Sequence, residues 1–373
     1  MIQIETVLLK DILNKVGKCA SNNKAEPLTQ LLHIHAVGNE LKFTTTNQID
    51  TCIYTHRLQP NQIDYPEFDV SIMVDSFIKL VSKFTCATTC LSLSETGNEI
   101  IITGNGTYKL PLPLDGPEPI KYPALTSDIT PQSNKYVGPI YNIIAAAKST
   151  EGSITKFSAD LEMADYPRTN YYFDESGCVS LDGYKASWYK DDCLLPFKAL
   201  IYPSTIKVLS IFDIADNDTE VYKCTSGEIV FVTPNITLIS KEARGTEVFP
   251  YEVATSLINA AIDAETQVAA GHFMSALDRI KLFIASIDDN CIKLEFSDKG
   301  LFLFNCNKSC TEQISAEALE DFECFIDIDN LTSQLKSYDS DDIVTLGYGN
   351  DQFIQLSSDC IGQIVVLSQT EGA

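Results

Sequence analysis

Twelve cysteines and four histidines are the side chains most able to do chemistry in this 373-residue chain. Cys86 with Cys90, and Cys306 with Cys310, each show the C-x3-C spacing of a loose zinc half-site. The histidines do not complete it. His33, His35 and His56 lie far from either pair in sequence, and His272 opens a helix-like run. Most cysteines sit in apolar strand-like stretches such as CLSLS and LFLFNC, which reads as buried, reduced thiols. Asp160, Glu162 and Asp165 lie close together in FSADLEMADYP, but nothing basic or histidine-like accompanies them as an acid–base partner. DSDD at 339–342 reads as a solvated turn. TGNGTYK and GYGND hold paired glycines between strand-like runs, as hairpin turns do. There is no GxxxxGKS/T phosphate loop, no GxSxG elbow and no HExxH helix. We therefore expect no catalytic residues, no metal and no cofactor, and a scaffold built for binding.

The basic residues carry a clearer signal. The chain's net charge is −24, and taken whole that field repels a phosphate backbone. Six helix-like windows run the other way: 9–18, 74–84, 137–148, 202–212, 273–283 and 328–338. They hold Lys10, Lys15, Lys18, Lys79, Lys83, Lys148, Lys207, Arg279, Lys281 and Lys336 against only Asp11, Asp75, Asp278 and Asp329. Basic helices inside an acidic protein predict a surface with segregated charge.

Those windows are themselves a repeat. Leu9, Ile12, Leu13 and Val16 fall at i, i+3, i+4 and i+7, the stripe of an amphipathic helix. Val137, Ile140, Tyr141 and Ile144 repeat the spacing, and so do Phe273, Ala276, Leu277 and Ile280. A second series runs through Val74, Phe77, Ile78 and Val81, then Tyr202, Thr205, Ile206 and Leu209, then Ile328, Leu331, Thr332 and Leu335. Two helices per third of the chain predict a triplicated domain, in a period too long for a solenoid. Alternating or β-branched runs such as LLHIHAV, LKFTTTN and TCIYTHRL fill the rest of each third. The fold class expected is α+β, with three similar domains of two helices packed on antiparallel sheet. The boundaries expected are 1–125, 126–256 and 257–373. Linkers are expected near 121–135, rich in Pro, Ser and Thr, and near 250–267, where ATSLINAAIDA has some helical character of its own.

Hydrophobic content of 45% and charged content of 21% fit a soluble globular protein. The N-terminal MIQIETVLLKD has no basic n-region before an apolar stretch, so no signal peptide is expected. No apolar run approaches the length of a membrane span. A cytoplasmic location with no membrane contact follows as an expectation.

Several stretches, in order, resemble the bacterial sliding clamp, the β subunit of DNA polymerase III. FDVSIMVDSFIKLVSKF is similar to the family's strand and second helix of domain one. CVSLDGYKASW resembles its TDGHRLA turn in domain two, and ITLISKEARGTEVFPY the strand and loop that close that domain. QVAAGHFMSALDRI resembles the start of domain three, and IVVLSQ the last strand. The resemblance covers the whole chain. It implies a head-to-tail homodimeric ring of six domains that encircles double-stranded DNA without reading its sequence. Helices would line the hole, and the ring would associate with the nucleoid. It also implies a processivity factor that tethers the replicative DNA polymerase and is placed by a clamp loader.

On that resemblance, DNA contact is expected from Lys10, Lys15, Lys79, Lys83, Lys148, Lys207, Arg279, Lys281 and Lys336, with Lys24 on a rim loop. Partner peptides are expected in a cleft formed by Arg168, Leu181, Ala186, Pro250, Val365 and Leu367. Two departures bear on that cleft. The TDGHRL turn appears as Leu181, Asp182, Gly183, Tyr184, Lys185 and Ala186, and the family's Met-Pro-Met-Arg-Leu tail is replaced by Ser-Gln-Thr-Glu-Gly-Ala after Leu367. A different peptide preference follows, as in a divergent or phage-encoded clamp. The competing expectation is a non-enzymatic assembly protein with triplicated domains and no DNA encirclement. An enzyme using one of the acidic clusters is the third.

Overall fold

The computed structural model describes residues 1–21, 23, 25–64, 67–123, 128–158, 160–192, 194–213, 218–284, 290–316 and 320–368. Seven α-helices lie among them: α1 Thr6–Val16, α2 Val74–Ser82, α3 Ile140–Thr150, α4 Pro203–Val208, α5 Tyr251–Ile258, α6 Ala270–Lys281 and α7 Ile328–Leu335. The chain divides into two compact units. One is Met1–Ile140 with Ser204–Glu242, and the other is Tyr141–Pro203 with Ala243–Ala373. The middle third of the sequence is thus shared between them.

The sheets show why. In the first unit an eight-stranded antiparallel sheet runs in the order Tyr136–Gly138, Thr219–Lys223, Ile229–Val232, Ile236–Ser240, Asp50–Arg57, Glu40–Thr46, Leu31–Val37 and Glu67–Met73. Ile236–Ser240 pairs with Asp50–Arg57, so strands from the middle third extend a sheet begun in the first. In the second unit another eight-stranded sheet runs Ala199–Ile201, Tyr171–Asp174, Gly177–Leu181, Lys185–Lys190, Ile361–Val366, Phe353–Ser357, Ile343–Tyr348 and Ala264–Ala269. There the junction is Lys185–Lys190 on Ile361–Val366. Each unit also holds a four-stranded sheet. In the first it runs Ile2–Glu5, Thr88–Leu93, Glu99–Thr103, Thr107–Pro111, and in the second Thr311–Ile314, Gly300–Asn305, Cys291–Ser297, Phe322–Asp327.

Buried polar joints accompany the two junctions. In the first unit Thr205 donates to Asp50 Oδ1 at 2.7 Å and shares a 2.9 Å hydroxyl contact with Ser240. In the second, Ser187 donates to Gln334 Oε1 at 2.7 Å, Gln334 Nε2 donates to Ser153, and the two serine hydroxyls lie 2.8 Å apart. All six residues are buried, and such networks favour one mutual arrangement because every alternative strands a polar group.

The helix stripes hold with one shift. Leu9, Ile12, Leu13 and Val16 are all buried, as are Phe273, Ala276, Leu277 and Ile280. Gly17 ends α1 where a Cβ would meet Ile78 Cδ1 at 2.6 Å, so a bare backbone lets α1 close against α2. Pro203 stands first in α4 and Asp75 lies in the first turn of α2. On α3 the stripe differs from the sequence reading. Val137 and Tyr141 are exposed, and Ile143, Ala146, Ala147 and Thr150 are buried instead. The cause is Pro139: it holds the residue before it extended. Val137 therefore sits in the strand Tyr136–Gly138, and the helix starts only at Ile140.

The segment expected as a second linker contains α5. Ala254 and Ile258 of that helix share a core with Tyr172, Leu181, Phe249 and Ile364. The glycine-rich stretches are hairpin turns, one joining Glu99–Thr103 to Thr107–Pro111 and the other Ile343–Tyr348 to Phe353–Ser357. DSDD forms a turn closed by its own carboxylate, with Asp339 N–H donating to Asp342 Oδ2 at 2.8 Å. No helix among the described residues is long and apolar enough to cross a membrane.

Candidate functional site

Two sets of residues carry the functional expectations, and each is treated within its own unit. In the first unit α1 and α2 pack together, with Lys10 and Lys15 on one and Lys79 on the other. Lys10 is half-buried and donates to Phe84 O at 2.6 Å. It lines a cavity of about 200 Å³ with Leu13, Asn14, Ile78, Val81 and Ser82. Lys15 pairs with Asp11 at 2.8 Å and Lys79 with Asp75 at 3.6 Å, both one helical turn apart. Lys83 caps the end of α2 and Lys207 stands on α4; both are exposed. Lys24 lies outside the described residues.

In the second unit Arg279 makes a two-pronged bond to Glu312, with Nε and Nη2 each 2.7 Å from a carboxylate oxygen. That bond holds the Glu312 carboxyl below its ordinary range. Lys281 pairs with Asp329 across α6 and α7, and Asn290 donates to the same carboxylate at 2.9 Å. The hydrogen bond from Lys281 is the main cause of the lowered Asp329 pKa. Lys148 on α3 and Lys336 at the end of α7 are exposed. Among the described residues no carboxylate lies within 4 Å of Lys83, Lys148, Lys207 or Lys336. Apart from half-buried Lys10 and from Lys24, the expected cations thus form two classes: four whose charge a helix carboxylate or Glu312 already balances, and four left to solvent.

The expected peptide residues all lie in the second unit, but not on one face. Leu181 and Ala186 are directly opposite each other in neighbouring strands and join the core of Phe249, Phe353 and Ile364. Pro250 follows Phe249 as the cap of α5. Arg168 sits on the helical turn Met163–Thr169, pairs with Asp165 at 3.0 Å, and approaches Gly183, whose φ of +94° makes the turn after Asp182. Its Nε is buried with no hydrogen-bond partner among the described residues. These four come together. Val365 and Leu367 do not join them. In a strand alternate residues face opposite ways; Ile364 belongs to the core shared with Leu181, whereas Val365 is fully buried in the other, with Leu367 beside it.

The residues that reach solvent near Leu181 are Tyr184 (66% exposed), Val366 (38%) and Val248 (71%). Val366 N–H donates to Tyr184 O at 2.9 Å, and Val248 and Pro167 both crowd Gly245. The sequence held the signal for two of them. Tyr184 lies inside the LDGYKA turn, and the period of two puts Val366 on the face of Ile364.

None of the described cysteines forms a disulfide, and burial pushes the Cys52 and Cys324 thiols up to about 12, which disfavours the reactive thiolate. Thiols and histidines do not meet: the one group among the described residues able to hold a metal contains no cysteine.

Comparison of the whole fold identifies its class: it is the fold of the bacterial DNA polymerase sliding clamps. The structure superposes on a DNA polymerase sliding clamp from Caulobacter crescentus with a TM-score of 0.80 at 16% identity, covering 99% of both chains. The DNA polymerase III subunit beta from Pseudomonas aeruginosa gives 0.83 at 12% identity, over 99% of this chain and 100% of that one. The sliding clamp from Bacillus subtilis gives 0.80 at 18% identity, over 99% and 98%. No family model and no curated protein sequence matches the chain.

Proposed function

We propose that the chain is a DNA sliding clamp. It encircles duplex DNA without sequence preference and tethers a replicative DNA polymerase and other partners through a peptide cleft. The observation that carries this reading is the end-to-end superposition on three bacterial clamps, with neither chain left over. On this reading the three sequence thirds are three domains, and the protein is a scaffold with no catalytic step of its own.

Ring closure has a physical basis in the two four-stranded sheets. Each has two edges, and one of each is covered: Ile2 is bridged by Ile63, and Phe325 by Ser368. The other edges, Thr107–Pro111 in the first unit and Thr311–Ile314 in the second, have no neighbouring strand among the described residues. An open edge is a template for pairing with another chain. Exposed Tyr108 lies on the first edge strand, and Leu282 and Phe283, 82% and 52% exposed, follow α6, which packs on the second. We assign these surfaces to head-to-tail pairing of two copies, a heterologous contact that closes into a ring.

The exposed cations on α2, α3, α4 and α7 then supply a weak, salt-screened attraction to phosphate, and the acidic remainder keeps DNA off other faces. Leu181, Ala186, Pro250 and Arg168, joined by Tyr184, Val248 and Val366, form the partner site. Its small apolar anchors carry most of the affinity.

The test is topological. Loaded onto nicked circular DNA by a clamp loader, the protein should stay bound through gel filtration and be lost when the circle is linearised. Equal retention on both forms would replace encirclement by ordinary binding. Failure to form a dimer by light scattering would remove the ring itself.

A further inference from the structure

We propose that His35, Glu67 and Asp69, on the outer face of the first unit's large sheet, form a site for a divalent first-row cation of the Zn2+ class. The residues lie on neighbouring strands, Leu31–Val37 and Glu67–Met73. His35 is directly opposite Asp69, and Glu67 is two residues along the same strand, so all three share a face. Leu32, Ile34 and Ala36 fill the core on the other side, which forces the imidazoles outward. One donor atom from each of the three lies within 4.8 Å of the other two. A tetrahedral ion with bonds of about 2.0–2.1 Å needs donors about 3.3 Å apart. Glu67 and Asp69 are exposed on the strand at the sheet edge, and rotation of their side chains closes that gap.

Each of the three residues keeps a donor atom available, though Asp69 is engaged through one of its oxygens. His35 Nε2 lies 3.8 Å from Glu67 Oε1, too long for a hydrogen bond. Asp69 Oδ1 is 2.8 Å from His33 Nε2, which leaves Oδ2 for an ion. His33 is held in place by stacking on Tyr122 at 4.8 Å and 4°, and on His35 at 5.6 Å and 13°. That is the arrangement of an outer-shell partner, a group that fixes the orientation of a metal-binding carboxylate. Lys42, opposite His35 on the next strand, is paired with Glu40 at 3.3 Å. One imidazole and two carboxylates suit zinc and its neighbours, with a remaining position open to water. The ion would clasp the edge strand to the one beside it and stabilise the folded unit by mass action.

Cobalt(II) tests this in the full-length protein, because its visible absorption reports its ligands. One Co2+ per chain should bind with visible d–d bands and without the near-ultraviolet charge-transfer band of a thiolate ligand, and Zn2+ should displace it. Glu67→Gln with Asp69→Asn should weaken binding by at least tenfold, and His33→Gln by about tenfold with altered bands, while far-ultraviolet dichroism stays unchanged. The substituted carboxylates are exposed, so the fold should survive. The proposal falls if millimolar Co2+ gives no saturable band, if the double variant binds as wild type does, or if a thiolate band shows that cysteines hold the metal.

Discussion

If the exposed cations face DNA, their removal should change the salt dependence of binding by an amount set by their number. The perturbation is Lys83→Ala, Lys148→Ala, Lys207→Ala and Lys336→Ala in one chain. These four helix lysines are exposed and have no carboxylate within 4 Å among the described residues, whereas Lys10 is half-buried and bonded to Phe84 O. All four are exposed, so the fold should be stable to within about 0.5 kcal/mol per site. Each phosphate contact contributes a slope of about −0.9 to log K against log salt. Between 50 and 200 mM salt one contact therefore costs about 3.5-fold in affinity, and four cost about 150-fold. The variant should lose that dependence in proportion to the contacts it gives up. The control is Lys281→Ala with Asp329→Ala, which removes an existing ion pair and leaves the net charge unchanged. It should keep the wild-type slope. Anisotropy titrations of a labelled short duplex at stepped salt read both. A quadruple variant with the wild-type slope would show that these lysines are only a solvated helix surface.

Three further outcomes are expected. Tyr184→Ala with Val366→Asp should weaken binding of a polymerase or loader peptide at least tenfold, about 1.4 kcal/mol, in calorimetry; the ring should still form, and unchanged affinity would move the cleft elsewhere. Gln334→Ala removes two buried hydrogen bonds and leaves Ser153 and Ser187 only each other, so urea unfolding should show a loss of about 1–3 kcal/mol; a loss below about 0.5 kcal/mol would mean the joint is not a source of stability. Glu312 has a lowered folded-state pKa through Arg279, so its contribution is present above the ordinary carboxylate pKa and lost as pH falls through the folded value. The melting-temperature gap between wild type and Glu312→Gln should thus be open at neutral pH and close in acid, and a gap that widens in acid would reverse the assignment.

The fold was legible wherever one face of an element meets the core. Leu9, Ile12, Leu13 and Val16 announce α1 because burial alone sets their spacing. The α3 stripe was misread by one position because the apolar residue Val137 belongs to a strand, and only Pro139 marks the break. α5 was taken for linker because eight residues make a short periodic signal; its burial comes from Tyr172, Phe249 and Ile364, far away in sequence. The division of the middle third between two compact units was illegible, since strand partners such as Ile236–Ser240 and Asp50–Arg57 carry no sequence mark of one another. The resemblance names Leu181, Ala186, Val365 and Leu367 together, but only the folded strand shows that Val365 packs in a different core from Leu181, with Val366 exposed.

On the proposed function, the helix charges make physical sense, since a clamp must hold DNA and still move along it. A fixed lattice of strong phosphate contacts would give a barrier at every step, because all would break before any reformed. Here Lys15, Lys79, Arg279 and Lys281 are already matched by Asp11, Asp75, Glu312 and Asp329. A phosphate approaching one of these cations must compete with a carboxylate one helical turn or one element away, so the net gain is small. Lys83, Lys148, Lys207 and Lys336 keep their charge on flexible stems, and a lysine ammonium has no planar fork to lock onto one phosphate. The single arginine in the set is the one whose fork is fully spent on Glu312. Replacing Lys207 and Lys336 by Arg keeps the charge and adds that fork. On this argument the double variant should bind duplex more tightly yet diffuse along it more slowly in single-molecule tracking. Faster or unchanged diffusion would mean that contact geometry does not limit the motion.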